Sequence, residues 1–210
     1  STVSAAIIMV DASEGIQVGT EKAWELCSET DTPKFMVLTK IDKDNVDCDK
    51  LVEQLREKFG NSVVTDDDED ALREAVAGTD EALMEKFFTD EEFTNGLMDG
   101  IANGDVVPII KASSLTGEGI DEVLRSIARY VPTPSKHAPY IGKNSKDEDV
   151  EVITDVSADP VMYVYKTIAD PFMGKISYAK VLSGTVKLGQ ELYNPRSQKS
   201  EKLGSMFFVR

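Results

Sequence analysis

Three continuous apolar runs, residues 5–10, 35–38 and 106–110, mark the first 131 positions, and each has the length of a strand rather than of a helix. The second run is followed by Leu51, Val52, Leu55 and Phe59, and the third by Ile120, Val123, Leu124, Ile127 and Val131, both at helical spacing. The first run ends at Asp11 and reads as a strand buried on both faces, with Thr20 as the expected cap of a helix running through Cys27. Strand and helix patterns therefore alternate, which predicts a parallel sheet with helices on its faces. Three strands and two crossover helices make half of such a sheet.

Between the second and third runs lies a longer, acidic helical stretch. Asp66, Asp67, Asp68, Glu69 and Asp70 read as a solvated loop or a helix start, because a calcium loop needs alternating carboxylates and a turn glycine. Thr89 with Glu92 has the spacing of a capping box ahead of Phe93, Leu97 and Ile101. Residues 132–160, with Pro132, Pro134, Pro139, Gly142 and the charge run 146–149, read as a linker. Beyond residue 160 the period changes to two, with short strands expected at 161–168, 175–182, 190–193 and 203–209, separated by Asp170-Pro171, Ser183-Gly184, Leu188-Gly189 and Asn194-Pro195. The chain thus divides into 1–131, a linker at 132–160, and a small all-β module at 161–210.

Composition narrows the chemistry. The longest apolar runs fall far short of the roughly 20 residues of a membrane span, so no membrane segment is expected. The opening lacks a signal-peptide pattern and a start methionine, and it reads as trimmed. Cys27 and Cys48 lack metal-ligand spacing and read as reduced thiols. His137, the single histidine, sits among prolines as a linker residue, which argues against imidazole metal sites and histidine general-base catalysis. The net charge of −15 opposes indiscriminate nucleic-acid binding. Residues 161–210, however, carry eight basic side chains against three acidic ones, a balance of +5 that leaves −20 on the first 160. Such asymmetry points to an anion-facing part.

In open parallel sheets, ligands gather outside the carboxyl ends of the strands. Those ends carry Asp11, then Thr39-Lys40-Ile41-Asp42, then Ala112-Ser113-Ser114-Leu115. A carboxylate such as Asp42 accepts two hydrogen bonds side by side, matching the N1–H and N2 amino group of guanine, a pair that adenine does not offer. The methylene stem of Lys40 can lie over a purine face, and backbone amides near Ser114 and Leu115 can donate to O6. Adenine would leave these groups unpaired, at about 1–3 kcal/mol for each buried one. A lone Lys-x-Asp also arises by composition, Ser113 and Ser114 also fit a helix-entry turn with Thr116-Gly117-Glu118-Gly119, and Asp11 reads as a strand-end cap rather than a ligand contact.

The segments AAIIMVDASEGIQVGTEKAWELC, FMVLTKID, VVPIIKASSLTGEGIDEVLRSIARYVPTP and KTIADPFMGKISYAKVLSGTVKLGQELYN together resemble the elongation factor G family of translational GTPases, from its GTP-binding domain into its second domain. The resemblance implies the C-terminal half of that domain, a partial P-loop-NTPase-type parallel sheet with flanking helices, followed by the start of a partial β-barrel. It implies that Thr39, Lys40 and Asp42 form the guanine-specificity motif and that Ser113, Ser114 and Leu115 form the last nucleotide-contacting loop. Thr39 stands where the family usually has Asn, and the acidic stretch is shorter than the family's usual insert. For the intact parent, the resemblance implies GTP or GDP with Mg2+, the ribosome and its RNA as partners, GTPase activity in translocation, and a cytoplasmic location.

Two parts of the family's machinery are missing from the 210 residues: the Gly-x-x-x-x-Gly-Lys-Ser/Thr string that cradles phosphates, and the Asp-Thr-Pro-Gly-His segment beside the γ-phosphate. Phosphate and magnesium contacts supply most affinity and nearly all catalysis in phosphoryl transfer. The expectation is a chain with no catalytic or metal-binding residues of its own, no GTP hydrolysis, no nucleotide held tightly, and guanine-nucleotide affinity of about millimolar or weaker. The strand at 5–10 would be an exposed apolar edge, prone to pair with a second copy. A non-hydrolysing ribosome- or RNA-binding adaptor, or a ribosomal protection protein, is the alternative reading; a dinucleotide oxidoreductase is disfavoured because no Gly-x-Gly-x-x-Gly follows a strand.

Overall fold

In the computed structural model, which describes residues 3–79, 89–131, 133–134 and 139–208, the three apolar runs become neighbouring strands of one parallel sheet. His137 and Pro132 lie outside the described residues, as do positions 80–88 of the acidic stretch. The chain separates into two units, Val3–Pro132 and Thr133–Arg210.

The sheet of the first unit has the order β1-β2-β4-β3, with β1 at Ala6–Asp11, β2 at Lys34–Thr39, β3 at Val63–Thr65 and β4 at Val107–Lys111. Parallel pairing runs from Ala6 opposite Lys34 to Asp11 opposite Thr39, and sets Leu38 opposite Lys111. Five helices are described: α1 (Val18–Glu29), α2 (Cys48–Phe59), α3 (Glu69–Ala77), α4 (Asp90–Asn103) and α5 (Ile120–Tyr130). On one sheet face Ile8, Val10, Met36, Leu38 and Ile109 pack with Leu51, Val52 and Leu55 of α2, while Ala23 and Trp24 of α1 close the side. On the other, Phe35, Val37, Ile110 and Ala112 receive Val123 and Ile127 of α5. A third cluster joins Val64 to Leu72 and Val76 of α3 and Phe93, Leu97 and Ile101 of α4.

Several local expectations need correction. Strand β1 is buried on one face only: Ile7 is 39% and Met9 59% exposed, because α5 packs on Phe35 and Val37 and leaves their register partners outside that cluster. Strand β3 was not expected. It is three residues long, too short for a periodic signal, yet fully buried and paired to β4 through Val63 opposite Val107. Helix α1 begins at Val18, so Thr20 caps from inside the first turn, its hydroxyl accepting from the Gln17 amide at 3.4 Å. Thr89 and Glu92 do form the reciprocal box, with Thr89 N donating to Glu92 Oε2 at 2.9 Å and Glu92 N to Thr89 Oγ1 at 3.3 Å. In the acidic run, Asp68 caps α3 by accepting from Ala71 N at 3.0 Å. Its neighbour Asp66 turns inward to Tyr130 at 2.5 Å.

The second unit consists of three antiparallel pairs: β5 (Tyr140–Lys143) with β6 (Asp149–Val152), β7 (Val161–Asp170) with β8 (Gly174–Ser183), and β9 (Glu191–Asn194) with β10 (Lys199–Lys202). The stretch 132–160 read as linker therefore contains a hairpin, closed by the Asn144 side chain, which accepts from the amides of Lys146 and Glu148 at 2.8 and 3.0 Å. The final strand is 199–202 rather than 203–209; Asn194 accepts from Arg196 N at 3.0 Å, and this tight turn sets Lys199 opposite Asn194. Residues 203–208 carry no strand, and Val209 is outside the described set. Buried Ser183 ties β8 to the end of the β5–β6 hairpin, donating to the Ile153 carbonyl at 2.7 Å. Among the described residues no helix is long and apolar enough to cross a membrane.

Candidate functional site

Parallel pairing aligns the carboxyl ends of β1, β2 and β4, and the ladder continues one step past each tip. Ala12 N donates to Thr39 O at 2.9 Å and Ala112 N to Leu38 O at 2.8 Å. The loops that follow are thus anchored side by side.

Thr39 spends its hydroxyl on this framework, donating to the Val10 carbonyl at 3.2 Å. Lys40 then leaves the strand in the left-handed region, at φ 59°, a conformation that non-glycine residues adopt at a cost and that turns the chain sharply. Its ammonium pairs with the Asp11 carboxylate of the adjacent strand tip. Asp11 is itself held by Ser13, whose amide and hydroxyl donate to Oδ1 at 3.0 and 2.6 Å, and Lys43 Nζ donates to Ser13 Oγ at 3.1 Å. The hydrogen bond from Lys40, then those from Ser13, hold the Asp11 carboxyl well below the usual carboxylate range; the same bond pushes Lys40 up.

Asp42 is exposed, and its Oδ1 accepts the hydroxyl proton of Ser113 across the gap between the β2 and β4 loops. Ser113 is fully buried, and its Oγ accepts from the amides of Leu115 and Thr116, each at 3.2 Å. The loop closes on itself through Ser113 N to Glu118 O at 2.8 Å and Gly117 N to Ser113 O at 2.9 Å. Gly119 completes it at φ +71°, where a Cβ would stand 2.0 Å from the Lys111 carbonyl oxygen. Only glycine permits so close a return to the strand.

The six residues singled out from sequence are therefore brought together at one end of the sheet, in different roles. Asp42 Oδ2 has no hydrogen-bond partner among the described residues and faces solvent with the carboxylate. The Ser114 amide is likewise without a described partner, whereas the Leu115 amide is engaged by Ser113. Leu115 itself is 85% exposed. A free acceptor on Asp42, a free donor at Ser114 and the half-exposed stem of Lys40 fit the edge and the face of a purine. The turn reading of Ser113 holds, and the hydroxyl that organises the turn also reaches Asp42. Sequence reasoning missed Asp11 as the partner of Lys40 and placed Gly119 in the helix-entry turn without its close return to β4; the available signals were an acid at a strand tip beside a lysine-bearing tip, and a second glycine two residues after Gly117.

Among the described residues no group of three or more His, Cys, Asp or Glu side chains is placed to hold a metal ion.

The elongation factor Tu GTP binding domain model matches residues 1–133. A crystal structure of a protein from Thermus thermophilus is similar to the chain with a TM-score of 0.71 at 23% sequence identity, over 96% of this chain and 35% of that one. That likeness concerns the fold, and the chain spans about a third of that protein's length.

Proposed function

Because the chain belongs to the elongation factor Tu GTP binding domain family over residues 1–133, we propose that it is the guanine-reading portion of a ribosome-dependent translational GTPase of the elongation factor G type. Residues 1–131 are the C-terminal half of the GTP-binding domain, 132–160 connect it onward, and 161–210 begin the second, β-rich domain. Thr39, Lys40, Asp42, Ser113, Ser114 and Leu115 form the base site. Thr39 builds the strand tip, the Lys40 stem covers the ring, Asp42 accepts N1–H and the N2 amino group, and Ser114 N–H donates to O6. Ser113 holds Asp42 in place, and Leu115 shields the edge of the ring.

The observation that carries this reading is the contact between Asp42 and Ser113 across neighbouring strand tips. Had those loops opened to different sides, no single ring could meet both. The parent's phosphate-binding loop and hydrolytic segment are sequence elements that these 210 residues do not contain. GTP or GDP with Mg2+ is bound by the parent, which acts on the cytoplasmic ribosome and hydrolyses GTP; the chain by itself binds guanine nucleotides weakly and does not turn them over. Lys175, Lys180 and Lys199 of the second unit face ribosomal RNA. The half-covered strand β1 pairs with a second copy when the chain is studied in isolation.

The test is a nuclear magnetic resonance titration of the chain with GMP and AMP at millimolar concentration. Shifts at Asp42 and Ser114 with GMP, and at least about tenfold weaker response to AMP, are expected. Equal response to both nucleotides, or shifts confined to other surfaces, would remove the assignment.

A further inference from the structure

The ion pair between Lys40 and Asp11 joins the tips of two strands that are already paired along their length, and nothing in the guanine motif calls for it. Asp11 is half-buried and fixed from three directions. Its backbone is locked opposite Thr39, its Oδ1 is held twice by Ser13, and its remaining oxygen takes the Lys40 ammonium. Ser13 is in turn approached by Lys43. A lysine stem has four rotatable carbons, and an unpinned one samples many directions; a pinned one lies ready across a ring without ordering cost at binding. The left-handed backbone of Lys40 aims the stem, and Asp11 fixes its far end.

We propose that Asp11 is a positioning residue of the base site, holding the Lys40 stem as a preformed platform for the purine face. This rests on the guanine reading above. With its charge engaged by Asp11, Lys40 contributes apolar stem surface rather than attraction for phosphate, so the platform serves a bare guanine nucleoside as well as its phosphates.

The test compares GMP binding by the whole 210-residue chain in four forms: unaltered, Asp11→Asn, Lys40→Ala and the double variant. Asp11→Asn keeps the shape and the Ser13 bonds while removing the charge that holds the ammonium. It is expected to weaken GMP binding about three- to fivefold, the scale of a partly exposed ion pair. Lys40→Ala weakens binding more, and in that background Asp11→Asn has no further effect, which a general loss of structure would not reproduce. Ser13→Ala, which loosens Asp11 and leaves both charges, moves affinity the same way by a smaller factor and stands in if Asp11→Asn disturbs the amide spectrum of β1. Unchanged or tighter GMP binding by Asp11→Asn, or an equal loss with and without Lys40, overturns the proposal while leaving the base site intact. Failure of the unaltered chain to prefer GMP over AMP overturns both.

Discussion

The two units, with four and six described strands, are held together by different forces. In the first, Phe35, Met36, Val37 and Leu38 of one strand are buried to 1% exposure or less, and helices cover both sheet faces. In the second, Val152 is the one buried apolar side chain among the described residues, while Tyr163, Val164, Tyr165, Phe172 and Met173 stand 44–96% exposed. That unit is held by hairpin ladders and by polar ties such as Ser183. Two-stranded pairs of this kind are marginal without a hydrophobic partner. The loops of the proposed base site thus hang from the well-packed sheet, and the hairpins are expected to be the less stable part.

Core truncation breaks the comparison most strongly. Leu55→Ala, at a position with no exposure, should cost the first unit about 2–5 kcal/mol. Denaturation followed by tryptophan-selective fluorescence reports on that unit, because the single tryptophan, Trp24, stacks on Phe59 at 4.5 Å beside its core. Glycine substitutions come next and sharpen the comparison. Gly119→Ala and Gly184→Ala both place a methyl against backbone, at 2.0 Å from Lys111 O and 2.6 Å from Ala158 O, and should each cost about 1–3 kcal/mol or more. Gly117→Ala shares the positive φ but has open space, so it should lose only about 1–2 kcal/mol.

The pH response is a smaller, signed effect. Burial, opposed by the bond from Tyr130, raises Asp66 above the usual carboxylate value, so stability should fall as pH rises from about 4 through the raised value. Asp66→Asn should flatten that slope in pH-dependent unfolding. Asp11 has the opposite sign: its lowered carboxyl adds stability above the ordinary value that disappears as pH falls toward the lowered one. Smallest of all, Phe172→Ala at the 96% exposed tip of the β7–β8 turn should change stability by no more than about 0.5 kcal/mol.

The parts of the fold that were legible in sequence are those whose burial is complete enough to leave a pattern. Strand β2 reads as an unbroken apolar run because both of its faces are covered, and the Thr89–Glu92 box reads from local spacing because it is a local interaction. Strand β3 was illegible: three residues carry no period, and much of its burial comes from β4 and α4, distant in sequence. The exposed side of β1 was equally invisible, since the run of apolar residues does not say which neighbour covers which face. At the site, the strand-tip residues were readable because parallel topology dictates where they gather. Their interactions were not, because the bond from Ser113 to Asp42 crosses 71 positions and the pair of Lys40 with Asp11 crosses 29.

The central claim is that the Asp42 carboxylate reads a guanine edge. Asp42→Asn turns one acceptor into a donor, which suits xanthine, whose C2 carbonyl replaces the amino group of guanine. Titration of the unaltered and Asp42→Asn chains with GMP and with xanthosine monophosphate should show the preference exchanged between them. Loss of neither response, or the same order of preference in both chains, would contradict the account.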